Sequence, residues 1–150
     1  MGKALTTNDI YRAINKDIFC KSSFLGVFPR DRLPTIYRFP CSVILNTEPS
    51  YKEGEHWLAM YFTEKRQCEF FDSYGNAPTT YGLEKYIKLA SSEWNYNKQR
   101  IQGDLSASCG YYCIYFLLLK SRHFSLNDVV GLFSKTNFDL NDFKVEHIYD

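Results

Sequence analysis

Cys109 stands where a run of small residues, GDLSAS, turns into the apolar stretch CGYYCIYFLLL. If that stretch is a helix, the thiol sits at the positive end of its dipole, which favours thiolate, the nucleophilic form of cysteine. The first amides of a helix have no partner within it and are free to bind a developing oxyanion. Ala107, Ser108 and Gly110 are small, so a substrate backbone can come close. Free cysteines are also small buried hydrophobes, so the helix alone leaves both readings open.

A cysteine nucleophile needs a base, and the base needs a group to orient it. The sequence holds three histidines. His123 falls at the far end of the same stretch, about 20 Å from Cys109 at 1.5 Å per residue. His147 lies in a polar segment near the end of the chain, a setting that suits a surface residue. His56 opens an apolar segment after a polar loop, where a strand end meets solvent. Asp72 closes the next apolar segment, and a hairpin would bring the two together. A carboxylate there can hold the imidazole tautomer and stabilise its cation. Taken singly, His56 is also a plain strand-end histidine, and Asp72 a turn starter before Ser73 and Gly75. Gln102, seven residues before Cys109, carries an amide able to donate to an oxyanion beside the Cys109 N–H.

The elements that must position these groups follow from periodicity. Thr7 or Asn8 caps a first helix to about Phe19, with Ile10, Ile14 and Ile18 on one stripe. FLGVFPRDRLPTIYRFP reads as irregular, with Pro29, Pro34 and Pro40 as breakers. Residues 41–46 form a buried strand, TEPSYKEGE a polar loop, and 56–62 and 68–73 a strand hairpin. Residues 81–91 are helical, and 93–102 alternate as a fourth strand. The Cys109 helix runs to about Arg122, is apolar on nearly every side, and is therefore central and buried. Ser125 caps another helix through Phe133, and Asn141 starts a last short one. The pattern predicts an α+β fold: a small, mostly antiparallel central sheet flanked by helices, with a buried helix carrying Cys109 at its N-terminus.

Bulk properties narrow the function classes. The 150 residues fit one domain, 1–150, with a real core. At 45% hydrophobic and 17% aromatic the chain is too apolar for a disordered tail, and a net charge of +1 does not single out a nucleic-acid binder. Five cysteines, an odd number with no C-x-x-C pair, argue against a disulfide framework and lack zinc-ligand spacing; Cys41, Cys68 and Cys113 sit in apolar runs as packing residues, and Cys20 has no stronger case. No phosphate-cradling glycine loop is present, so no cofactor is expected. The longest apolar run, 111–119, is too short to span a bilayer, and no early segment reads as a signal peptide. The expectation is an intracellular protein of cytoplasm, nucleus or virion, not secreted and with no membrane partner.

Four ordered motifs then carry a resemblance. FLGVF, PCSVILNT, GEHWLAMYF with the aspartate of FFDSYG, and QGDLSASCGYYC resemble, in matching order from about Ile10 to Phe124, segments of the adenain-like cysteine proteases, a family related to the proteases of SUMO-type proteins. The order His, acid, Gln, Cys is the reverse of papain-like enzymes. The resemblance implies Cys109 as nucleophile, His56 as general base and acid, Asp72 as its orienter and Gln102 as oxyanion donor. It also makes Trp57 a wall of a narrow substrate channel; the other reading of Trp57 is a core residue. A second tryptophan wall has no match in residues 24–28. Aspartate at 72 follows the cellular rather than the adenoviral pattern. EWNYNKQRIQ lacks the cysteine through which the adenoviral enzyme takes up its activating peptide, so activation by peptide or DNA stays open, and the adenoviral C-terminal extension is curtailed.

What the resemblance implies is an endopeptidase of adenovirus or virus-like transposon origin, monomeric, cutting protein substrates after glycine. A deconjugating isopeptidase for a ubiquitin-like modifier uses the same chemistry; a non-catalytic binding module and an acyltransferase are further alternatives.

Overall fold

The computed structural model describes residues 4–48, 56–103 and 106–147. The elements are α1 (Thr7–Asn15), α2 (Ile18–Lys21), β1 (Phe24–Pro29), β2 (Cys41–Asn46), β3 (Trp57–Phe62), β4 (Gln67–Phe71), a short 3-10 turn (Pro78–Tyr81), α3 (Glu84–Ala90), β5 (Glu93–Tyr96), α4 (Cys109–Lys120), α5 (Leu126–Gly131) and α6 (Phe138–Glu146). The strands form one sheet in the order β1-β2-β3-β4-β5. The inner pairs, β2 with β3 and β3 with β4, are antiparallel as expected; the outer pairs are parallel, so the α+β fold is built on a mixed sheet.

The inner strands are apolar without alternation because both faces of the sheet are covered. On one face Ile44, Ala59, Tyr61 and Phe71 pack with Cys113, Phe116 and Leu117 of α4. The Phe71 and Phe116 rings stack with centroids 4.7 Å apart. On the other face Val43, Leu45, Leu58, Met60 and Phe70 pack with Leu83 and Ile87. Each fully buried Val, Leu, Ile, Phe or Met side chain among them contributes about 1.5–3 kcal/mol. The far end of α4 is pinned by an ion pair between Lys120 and Glu69 of β4, and Lys120 also donates to the Phe124 carbonyl at 2.8 Å. Among the described residues no helix is long and apolar enough to cross a membrane.

Three elements differ most from the sequence expectation, and two helix starts shift as well: α1 is capped by Thr6 rather than Thr7 or Asn8, and α6 begins at Phe138, capped by Asn137, rather than at Asn141. The first helix breaks after Asn15, because Asp17 takes an extended conformation and its carboxylate caps the Cys20 amide at 2.9 Å, starting a separate turn. The stretch FLGVFP, expected to be irregular, is the edge strand β1. Its glycine is the reason: Gly26 at φ +143° forms a bulge, and the Tyr11 hydroxyl lies 2.7 Å from where a Cβ would stand. From there Tyr11 accepts the Val27 N–H at 2.8 Å. Pro29 ends this edge strand, a position that tolerates it. Strand β5, expected to reach Gln102, stops at Tyr96, because residues 97–102 turn to the β4 exit loop. The expected polar loop 47–55 lies largely outside the described residues.

Candidate active site

The hairpin register builds the first part of the site. Ala59 faces Phe71, so one step further Asp72 comes level with Leu58, and His56 meets it diagonally from two residues before. The His56 Nε2 lies 2.8 Å from Asp72 Oδ1. Helix α4 packs on β3 and brings its first residue to the same place: Cys109 Sγ accepts the Trp57 N–H at 3.4 Å and is hydrogen-bonded to His56. With Nε2 committed to Asp72, Nδ1 is the nitrogen left for the thiol. Gly110 permits this approach, since a Cβ there would lie 3.2 Å from both Leu5 and the Trp57 ring. His123, in a left-handed conformation just beyond α4, and His147, stacked on Phe143, take no part.

Burial alone would lower the basicity of His56. Hydrogen bonds to Asp72 and Cys109, with the charges of both, outweigh it and hold its pKa at about 9. For Asp72, burial pushes the carboxyl up, and the hydrogen bond and charge of His56, then Tyr81 and the Tyr74 amide, bring it below the ordinary carboxylate value. The remaining thiols behave as packing groups. Burial pushes Cys20 and Cys41 up to about 11 and raises Cys68 and Cys113 as well. A thiol bonded to a histidine that a carboxylate holds gives its proton somewhere to go.

Gln102 is fully buried between this group and the β4 exit loop. Its amide oxygen accepts the Ser73 hydroxyl, and its Nε2 donates to the Ser106 carbonyl at 3.0 Å and to Ser106 Oγ at 3.3 Å. The backbone N–H groups of Ile101 and Gln102 both bond the Ser73 carbonyl. The amide is therefore positioned but engaged, and must exchange Ser106 for any oxyanion it is to bind.

Comparison with known proteins meets this arrangement from another side. No family model matches the chain. It is 32% identical to the protease of human adenovirus A serotype 12 over 123 residues, 70% of this chain. It is 30% identical to the protease of human adenovirus B serotype 3 over 123 residues, 71% of the chain. This chain is a relative of the adenovirus proteases. Its matched stretch spans 58–59% of the length of those two proteases. The fold is shared with the ASFV pS273R protease, at a TM-score of 0.65 and 16% identity over 99% of this chain and 68% of that one. It is shared also with the central domain of the uncharacterized Lpg1148 protein from Legionella pneumophila, at a TM-score of 0.54 and 14% identity over 97% and 96% of the two chains.

In this adenovirus-protease relative the structure adds residues that the sequence reading did not single out. Tyr81 donates to Asp72 Oδ2, the oxygen His56 does not use, and the Tyr74 N–H donates to Oδ1 at 2.9 Å. The Tyr74 ring lies 4.9 Å from the His56 ring. Asn97 clasps the Asp72 backbone, accepting its N–H at 3.0 Å and donating to its carbonyl at 2.7 Å. The sequence carried one signal for these: the aromatic residues that follow Asp72 closely. Asn97 had none, because its role depends on where the chain leaves β5.

Proposed function

We propose that residues 1–150 form a single cysteine endopeptidase domain of virus-like origin that cuts structural precursor proteins after glycine. The observation that carries the reading is the continuous link Asp72–His56–Cys109 at the mouth of α4, in a chain related to viral proteases. In this mechanism His56, an imidazolium below about pH 9, holds the proton that the Cys109 thiol has given up, and the sulfur attacks the peptide carbonyl. The oxyanion is met by the Cys109 N–H and the Gln102 amide. His56 then gives its proton to the leaving amine, and a thioester remains. Water, deprotonated by His56, releases the acid and restores the thiol. Asp72 keeps Nε2 protonated and stabilises the imidazolium throughout.

Glycine selectivity rests on space. The cleft at Cys109 has a volume of about 260 Å³ and is walled by the Trp57 indole on the side of the base. A residue without a Cβ lets the backbone reach both sulfur and oxyanion donors. Two measurements test the proposal together. A thiol alkylator is expected to label Cys109, which lines the cleft, ahead of the other four thiols, read by peptide mapping. A peptide library varied before the scissile bond is expected to be cut after glycine. Labelling spread evenly over the cysteines would sink the catalytic reading; efficient cleavage after Leu, Phe or Lys would sink the narrow slot.

Gln102→Ala is expected to lower kcat by roughly 10²–10³ with little change in KM, the loss of one oxyanion donor. Steady-state kinetics on folded enzyme read this directly. A loss confined to KM would make Gln102 a ground-state binding residue instead.

A further inference from the structure

The cleft at Cys109 has a second wall, and it comes from the start of the described chain. Ala4 and Leu5 line it together with Trp57, Tyr74 and the catalytic pair, and none of residues 24–28 does. Leu5 is held there at three points. Its carbonyl accepts the Trp57 indole N–H at 3.1 Å. Its side chain packs on the core and lies against Gly110, so close that a Cβ at 110 would stand 3.2 Å from Leu5 Cβ and Cδ1. Its backbone leads directly into the N-cap of α1, where Thr6 and Asp9 form a reciprocal capping box, Thr6 Oγ1 accepting the Asp9 N–H at 3.1 Å and Asp9 Oδ2 the Thr6 N–H at 2.9 Å. Leu5 and Ile10 occupy the two positions of a hydrophobic staple around that cap, and both belong to the same core cluster. A residue fixed by a capping box, an indole hydrogen bond and core packing is a rigid wall rather than a loose tail.

We infer that Leu5 is a specificity-determining residue: with Trp57 it sets the width of the slot that receives the residue before the scissile bond. The inference rests on the glycine-slot reading above and deepens it. Trp57 bounds the slot from β3, and Leu5 bounds it from the α1 side across the Gly110 turn. A substrate Cβ has to enter the space between them. Discrimination over one small side chain in an apolar slot amounts to roughly 10–200-fold, so trimming one wall changes a measurable ratio without touching Cys109, His56, Asp72 or Gln102.

The test compares three enzymes on peptides that differ only in having Gly or Ala before the cut. The wild type is expected to favour Gly by about 10²-fold in kcat/KM. Leu5→Ala is expected to reduce that preference about tenfold, by gaining rate on Ala while retaining rate on Gly. Leu5→Met, which conserves volume, is expected to keep the wild-type ratio and controls for damage to the fold. An unchanged Gly-to-Ala ratio in Leu5→Ala, with Gly cleavage intact, would overturn the role of Leu5. So would a change of equal size in Leu5→Met, or relaxation confined to a position further upstream. If the wild type cuts both peptides equally well, the glycine slot itself is wrong, a failure visible before any variant is compared.

Discussion

Cys109→Ala is expected to reduce peptide hydrolysis by about 10⁶, leaving only what the oxyanion donors and substrate binding supply. The change removes one sulfur atom at the start of α4, where no helix hydrogen bond depends on it. What it does remove is the acceptor of the Trp57 N–H and the partner of His56. An unsatisfied buried amide costs about 1–3 kcal/mol, so a modest drop in Tm is expected with the fold retained. The variant should still bind a glycine-containing peptide. Retained turnover in the purified variant would remove Cys109 from the reaction. Binding lost together with turnover would instead point to a collapsed cleft.

The parts of this site legible in the sequence are those that local patterns fix. The sharp switch from small residues to an unbroken apolar run at Cys109 located both the helix and its mouth. The runs 41–46 and 56–62 located the central strands, and a short turn between two apolar segments set the hairpin that joins His56 to Asp72. Less legible were contacts that cross the chain. Strand β1 was hidden by Gly26 and Pro29, which break strands by their propensities; here a bulge over Tyr11 and an edge position accommodate them. Residues 97–102 alternate like a strand, yet their hydrogen bonds go to Asp72 and Ser73. Likewise Leu5 reads as a lone apolar residue before a helix cap, and its place beside Trp57 follows only from how α1 packs on α4. Local propensity yields in each case where a backbone group near the site takes a distant partner.

Asp72→Asn is expected to lower kcat by about 10⁴ while leaving KM little changed, by analogy with loss of the orienting carboxylate in such triads. An asparagine of the same shape keeps its one carbonyl oxygen toward the Tyr74 N–H and turns its NH2 to donate to the Tyr81 hydroxyl, so the loop keeps its form. It cannot hold Nε2 protonated as reliably, and it has no charge to stabilise the imidazolium. The pH dependence separates this role from a structural one. His56 titrates near 6.5 in an unfolded chain and at about 9 here. Its raised value contributes stability that is fully present below about pH 6.5 and is lost as pH rises through about 9. In the proposed mechanism the same proton is the one His56 hands to the leaving amine, so activity is expected to fall above about pH 9. In Asp72→Asn the hydrogen bond to a charged carboxylate and the charge of Asp72 are gone, and Cys109 alone is left to oppose the burial that pushes the imidazole down. The alkaline limb of the pH–rate profile should then move to lower pH, and the decline of Tm between pH 6.5 and 9 should flatten. Tyr81→Phe, which keeps the carboxylate and removes only its second donor, should retain an alkaline limb. An Asp72→Asn enzyme with an unshifted limb would leave Asp72 as a turn residue held by Asn97, and the orientation of His56 would need another source.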